Sequence, residues 1–300
     1  MRVLMSGASG LLGVAISRAL EAQGSQVTRL VRNEATSGEI PWQPGQTLDP
    51  ALVSGFDAVI HLAGESVVGR WTDAKKKRIR DSRVLGTRTL AEAVAQAAQK
   101  PAVFLAASAI GFYGDRGDEL LVEQSVSGTG FLPEVCREWE AAAEPAQQAG
   151  IRVVYLRTGV VLSNKGGALK PILLPFKLGL GGRLGSGRQW WSWIHIGDMV
   201  GAAIHILNSQ ALSGPVNMVG PDPVTNLEFT SALGKVLHRS TIFSVPAFAM
   251  RLAMGQMADE VLLGSQRVEP RVLLASGYNF RFRDLEGALK SLVGLSEPLP

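Results

Sequence analysis

One cysteine, Cys136, stands in 300 residues. The chain can therefore form no internal disulfide, and this scarcity fits a reducing compartment. No stretch approaches the roughly 18 uninterrupted apolar residues that span a bilayer. The first apolar run starts at residue 2, which leaves no room for a secretory leader and predicts a cytoplasmic protein with no membrane partner. Tyrosine is almost as scarce, at three residues, which limits the phenols available for proton transfer. What is present is ordinary for a globular protein: 46% hydrophobic and 19% charged residues, with a net charge of +4. Three hundred residues can bury a substantial core and are enough for more than one domain.

The informative stretch is the opening one. Arg2 to Met5 reads as a buried strand, Gly7, Gly10 and Gly13 follow, and Leu11, Leu12, Ala15, Ile16, Ala19 and Leu20 recur at helical spacing up to Gly24. Glycine suits such a strand-to-helix turn because the chain bends sharply, a pyrophosphate must approach bare backbone, and helix must pack closely on strand. The helix start adds free N–H groups and partial positive charge. We assign Gly7, Ser9, Gly10, Leu11, Leu12 and Gly13 to a dinucleotide. Gln26 to Val31 reads as the second strand, and it ends in Arg32 where an NAD site would carry Asp or Glu. A cation there suits the 2′-phosphate of NADP(H), the cofactor expected. Arg32 as a solvated strand-end residue is the alternative.

Further strands are predicted over Asp57 to Leu62, Ala102 to Ala107, Ile151 to Leu156 and Pro215 to Val219. A long helix is predicted from about Asp73 to Gln99. Strands alternating with helices indicate an α/β fold with a doubly wound parallel sheet of Rossmann type. Ligands sit at the carboxyl ends of such strands, where Leu62, Ala63, Gly64, Ala107 and Ser108 fall. The densest basic run, Lys75 to Arg80 with Arg83 beyond, has no interleaved aromatics and reads as an outer helix face. One or two of its members would turn toward the cofactor, and nucleic acid is not an expected partner. No metal is expected.

Residues 1–163, completed by 198–220, read as the dinucleotide-binding domain. Residues 164–197 and 221–300 read as a smaller, mainly helical substrate-side lobe. Trp190 and Trp191 are placed in the substrate cleft, with Trp193 in the seam between lobes. Asp198 is read as a helix-start residue and Thr225 with Glu228 as a capping box. His195 is assigned to the cleft.

Taken together, the start Met-x-x-x-x-Ser-Gly-Ala-Ser-Gly-Leu-Leu-Gly, His61-Leu62-Ala63-Gly64, Val84-Leu85-Gly86-Thr87 and Ser108 to Gly114 resemble an extended short-chain dehydrogenase/reductase, the superfamily of the nucleotide-sugar epimerases. Arg157 to Leu162, Leu174-Pro175-Phe176, Trp193 to Asp198 and Pro270-Arg271 resemble its atypical "epimerase family protein" branch. The resemblance covers nearly the whole chain. It implies an NADP(H)-dependent oxidoreductase or epimerase-like activity on a small carbonyl or hydroxyl compound, and a Val160 backbone amide near the nicotinamide. It also puts Arg83 where relatives often have Asn.

The superfamily's chemistry rests on Tyr-x-x-x-Lys, because a free phenol ionises near pH 10 and needs a close cation to act at neutrality. Four residues after the three tyrosines stand Gly117, Gly159 and Phe282, so the pair is missing. Alignment on Glu140 puts Leu132 at the tyrosine position and Cys136 at the lysine position. The usual hydroxyl position falls on Ala109, one residue from Ser108. Tyr113 and Ser108 are the substitutes we name, against the alternatives that Tyr113 packs on the sheet and Ser108 caps a strand. Cys136 on its helix reads as a small buried hydrophobe. A non-catalytic NADP(H)-binding or redox-sensing module is the competing function.

Overall fold

The computed structural model describes residues 1–32 and 35–294. The last six residues of the segment 221–300 lie outside these. Seven parallel strands form the central sheet: β1 (Arg2–Ser6), β2 (Gln26–Val31), β3 (Glu39–Pro41), β4 (Ala58–His61), β5 (Val103–Ala109), β6 (Arg152–Thr158) and β7 (Gly214–Met218). Their spatial order is β3-β2-β1-β4-β5-β6-β7. The direction of winding reverses between β1 and β4, where Ser6 stands opposite His61. In open α/β sheets such a switch point opens the crevice in which ligands bind.

The longer helices position the rest: α1 (Leu11–Ala22), α2 (Asp73–Gln96), α3 (Phe131–Ala141), α4 (Leu169–Lys177), α5 (Ile196–Asn208), α6 (Asn226–Leu237), α7 (Ala247–Met254) and α8 (Leu285–Val293). Successive strand residues point to opposite faces. Val3 and Met5 of β1 accordingly join Ile16, Leu20, Met199 and Ile206 of α1 and α5 on one side. Leu4 joins Leu90 and Val94 of α2 on the other. Both faces are covered, which is why these strands are continuous apolar runs. A third cluster, with Phe176, Trp193, Phe229, Leu233 and Leu289, lies under α4, α6 and α8.

The capping box at Thr225 is present in full, with Glu228 bonding back to the Thr225 backbone. The short strand β3 falls in a stretch that reads as polar loop. It is an edge strand ending in proline, which composition does not distinguish from a turn. Among the described residues no helix is long and apolar enough to cross a membrane.

At the switch point the Ser6 hydroxyl and His61 Nδ1 lie 2.6 Å apart, fully buried. Burial lowers the His61 pKa to about 4, so the folded ring stays neutral where an unfolded one, titrating near 6.5, takes up a proton. Stability is therefore complete above about pH 6.5 and declines as pH falls toward 4, by on the order of 3 kcal/mol for this group. Urea unfolding at pH 7.5 and pH 5 should show a smaller stability loss in His61→Asn than in the parent. Equal losses would contradict the assignment.

Candidate functional site

The loop after β1 is held against the end of β4 more closely than any side chain permits. Gly7 has φ of +69°, and a Cβ there would sit 2.7 Å from the Leu62 carbonyl carbon. A Cβ on Gly13 would sit 2.2 Å from the Gly7 oxygen and 2.6 Å from the Ala8 Cα. The residue before α1, Gly10, brings no side chain to cap the first turn. That turn therefore presents bare amides and the positive end of the helix dipole, the donor set that a pyrophosphate requires.

Beside this loop lies a cavity of about 820 Å³. Its wall contains Gly7, Ser9, Gly10, Arg32, Leu62, Ala63 and Gly64, all expected from sequence. Arg18, Arg29 and Trp42 also line it and were not expected. Arg29 lies on strand β2, which Arg32 directly follows, and Arg18 lies one helical turn beyond Val14, another wall residue. Helical spacing from the glycine turn is thus the signal that points to Arg18. Nothing in the sequence brings Trp42 there, because its place depends on β3.

Other expected residues surround the cavity without lining it. Gly13 is buried behind the loop, and Leu11 packs toward Gly167. Leu12 packs on the core between α1 and the sheet. Ala107 is part-exposed near the end of β5. Arg83 donates to the carbonyls of Glu65 and Ile79, at 2.9 and 3.1 Å, and lies 4.9 Å over the Trp139 ring. It braces the Gly64–Glu65 segment. The Val160 amide corrects an expectation: it donates to the Ser192 carbonyl at 2.8 Å and is not free for a nicotinamide. The cause is the short parallel pairing of Val160–Leu162 with Trp193–His195.

The expected chemical centre is a buried polar network. The Tyr113 hydroxyl donates to Asn217 Oδ1 at 2.7 Å and accepts from Arg157 at 3.1 Å. Arg157 binds Glu140 through two nitrogens, each at 2.8 Å, and its guanidinium lies 3.5 Å from the Phe112 ring centroid. Ser108 donates to Glu140 Oε1 at 2.7 Å. Tyr113 is 0% exposed, and desolvation raises its pKa above the ordinary value. The expectation that it faces the cleft as a proton donor is corrected: the phenol is a core group with both hydrogen-bonding roles filled.

Leu132 and Cys136 pack beside the end of β5, with Cys136 Sγ 3.9 Å from the Ala109 carbonyl oxygen. A Cβ on Gly111 would meet Leu132 Cβ at 3.4 Å and Cys136 Sγ at 3.9 Å. Burial pushes the Cys136 thiol up to about 12, so it is no nucleophile. The start of α3 is capped from far along the chain, by Glu260, whose carboxylate accepts from the amides of Phe131 and Leu132 at 3.1 and 2.7 Å.

The remaining cleft assignments divide. Trp190 is half-buried, donates to Asp118 at 2.8 Å and carries Arg267 at 4.5 Å over its ring. Trp191 is buried against Phe229 and lines a separate cavity. His195 is a correction. Its Nδ1 accepts from the Gly197 amide at 2.9 Å to cap α5, its Nε2 lies 3.1 Å from the Ser291 hydroxyl, and its ring stacks on Phe282. It holds α8 to α5. Asp198 next to it accepts from the amides of Arg281 and Phe282, a scaffolding role.

Comparison with known proteins places this arrangement. The family model described as "NAD dependent epimerase/dehydratase family" matches residues 3–220, and one for a domain of unknown function (DUF1731) matches 245–292. The epimerase family protein Mb2239 of Mycobacterium bovis is 45% identical over 290 residues, with 96% of each chain covered. The structure of human epimerase family protein SDR39U1 (isoform 2) with NADPH is 35% identical, with a TM-score of 0.91, covering 98% of this chain and 99% of that one. A nucleoside-diphosphate sugar epimerase from Corynebacterium glutamicum is 38% identical with a TM-score of 0.83, covering 99% of this chain and 59% of the other. By sequence and by structure, the chain belongs to the NAD dependent epimerase/dehydratase family.

Proposed function

We propose that the chain is an NADP(H)-dependent oxidoreductase or epimerase-like enzyme acting on a small carbonyl or hydroxyl compound. The observation that carries this is Arg32 in the wall of a cavity that also contains the glycine cradle, closed at Gly7 to any Cβ. In this reading the amides at the start of α1 hold the pyrophosphate, Leu62 to Gly64 flank the adenosine, and Arg32 takes the 2′-phosphate with Arg29 and Arg18 nearby. The human relative whose structure is described as "with NADPH" supports the choice of dinucleotide. Residues 1–163 with 198–220 form the dinucleotide unit, and 164–197 with 221–300 the substrate side.

The nicotinamide supplies hydride exchange when bound. The chain's own contribution is narrower. Buried Ser108 donates a hydrogen bond to Glu140 Oε1 and keeps its lone pairs as acceptors for a substrate hydroxyl, while Arg157 fixes the carboxylate. One observation favours a second reading, a non-catalytic NADP(H)-binding or redox-sensing module: Leu132 and the neutral Cys136 thiol, the residues aligned with the acid/base pair, pack on Gly111 and offer no proton-transfer group there.

Two measurements test these readings. Titration should give NADPH affinity at least about tenfold above that for NADH, and Arg32→Ala should remove that difference. Equal affinities in the parent would overturn the 2′-phosphate role. With NADPH and a panel of carbonyl compounds, Ser108→Ala should lose about a hundredfold or more in kcat, the range for a proton-transfer group, while Tyr113→Phe keeps most of it. Tight NADPH binding with no turnover across the panel would favour the module.

A further inference from the structure

A second cavity, of about 220 Å³, lies between α4 and α6 and shares no lining residue with the first. Pro171, Ile172, Pro175 and Phe176 of α4 form one wall, with Trp191 and Phe229 opposite. Asn226 and Thr230 are the polar residues in the lining, and the Asn226 carbonyl oxygen is already taken by the Leu184 amide at 2.8 Å. The cavity is smaller than the roughly 300–1,000 Å³ that encloses a drug-sized ligand, so it suits a hydrocarbon chain and excludes a nucleotide.

Its surroundings are apolar and cationic together: Lys170, Lys177 and Arg183 are each next in the chain to a lining residue, as is Glu228, whose carboxylate is held by the Thr225 amide and hydroxyl. Leu174, Leu178 and Leu180 are 65%, 65% and 60% exposed, and Ile242 and Phe248 are 82% and 72% exposed. Leaving so much apolar side chain in water is unusual outside binding surfaces. No acidic residue occurs between Glu144 and Asp198, whereas Lys170, Lys177, Arg183 and Arg188 all fall within that span. None of these four is in a salt bridge among the described residues. Arg239 adds a further cation by donating to the Lys177 carbonyl at 2.9 Å. In the wall itself, the Trp191 indole N–H is buried without a hydrogen-bond partner, a donor that a ligand oxygen would satisfy.

We infer that this cavity binds the hydrocarbon chain of an anionic amphiphile, with the negative head met by the cations that flank its walls. Apolar burial supplies affinity, at about 0.8 kcal/mol per buried CH₂, and the cations supply selection by charge. Free medium-chain carboxylate and bilayer lipid share the required chemistry.

The test uses the full chain and tryptophan emission, because Trp191 lies in the wall. Decanoate below its micelle concentration should bind saturably, and decanol and decyltrimethylammonium at least about tenfold more weakly. Ile172→Trp, which fills the cavity, should abolish binding. Lys177→Glu should weaken it about thirtyfold, a change of two unit charges at roughly 1 kcal/mol each. Cooperative thermal unfolding of both variants checks their fold. Binding to phosphatidylglycerol vesicles but not to monomeric decanoate, still abolished by Ile172→Trp, would identify bilayer lipid as the source. Equal binding of decanol or the cationic amphiphile, or binding untouched by Ile172→Trp, would overturn the inference.

Discussion

The approach of the loop after β1 to the end of β4 is the constraint on which the molecule depends. The backbone of Gly7 lies where a Cβ would overlap the Leu62 carbonyl, and Gly13 lies where one would overlap the Gly7 oxygen. Bare backbone at both positions lets α1 start directly beneath the loop. The first-turn amides then point into the crevice opened by the reversal of strand order between β1 and β4. Buried Ser6 and His61 join the two strands just below, so the floor of the crevice is rigid where the ligand's charge would rest.

The carboxyl ends of β5, β6 and β7 are organised differently. Arg157, Glu140, Ser108, Tyr113 and Asn217 form one hydrogen-bonded chain running from β5 through β6 to β7. Breaking a buried ion pair such as Arg157–Glu140 by removing one partner typically costs about 3–5 kcal/mol, so the network is a structural commitment as well as a source of polarity. Tyr113 belongs to it as a donor and acceptor deep in the core. This arrangement keeps the carboxyl edge of the sheet polar from within, while Leu132 and Cys136 pack beside it as apolar groups.

Much of this was legible in the sequence. The alternation of apolar runs and helical periods specified the parallel sheet, and the glycine spacing with Arg32 pointed to the residues that wall the larger cavity, because those features are local. What was not legible depends on contacts distant in the chain. Tyr113 next to Gly114 reads like a cleft residue, but Asn217, more than a hundred residues later, claims its hydroxyl. His195 reads like a functional histidine, yet its nitrogens serve α5 and α8. The Val160 amide is taken by a strand pairing with no signal of its own, and Glu260 caps α3 from a lobe whose docking no periodicity describes. Polar residues declare their type in sequence and their partner only in the fold.

The most direct test of the account is the crystal structure of the chain with NADPH bound. The account predicts pyrophosphate oxygens within hydrogen-bonding distance of the backbone amides at the start of α1, and a 2′-phosphate oxygen within reach of the Arg32 guanidinium. Phosphates bound elsewhere, or an Arg32 side chain directed away from the adenosine end, would contradict it.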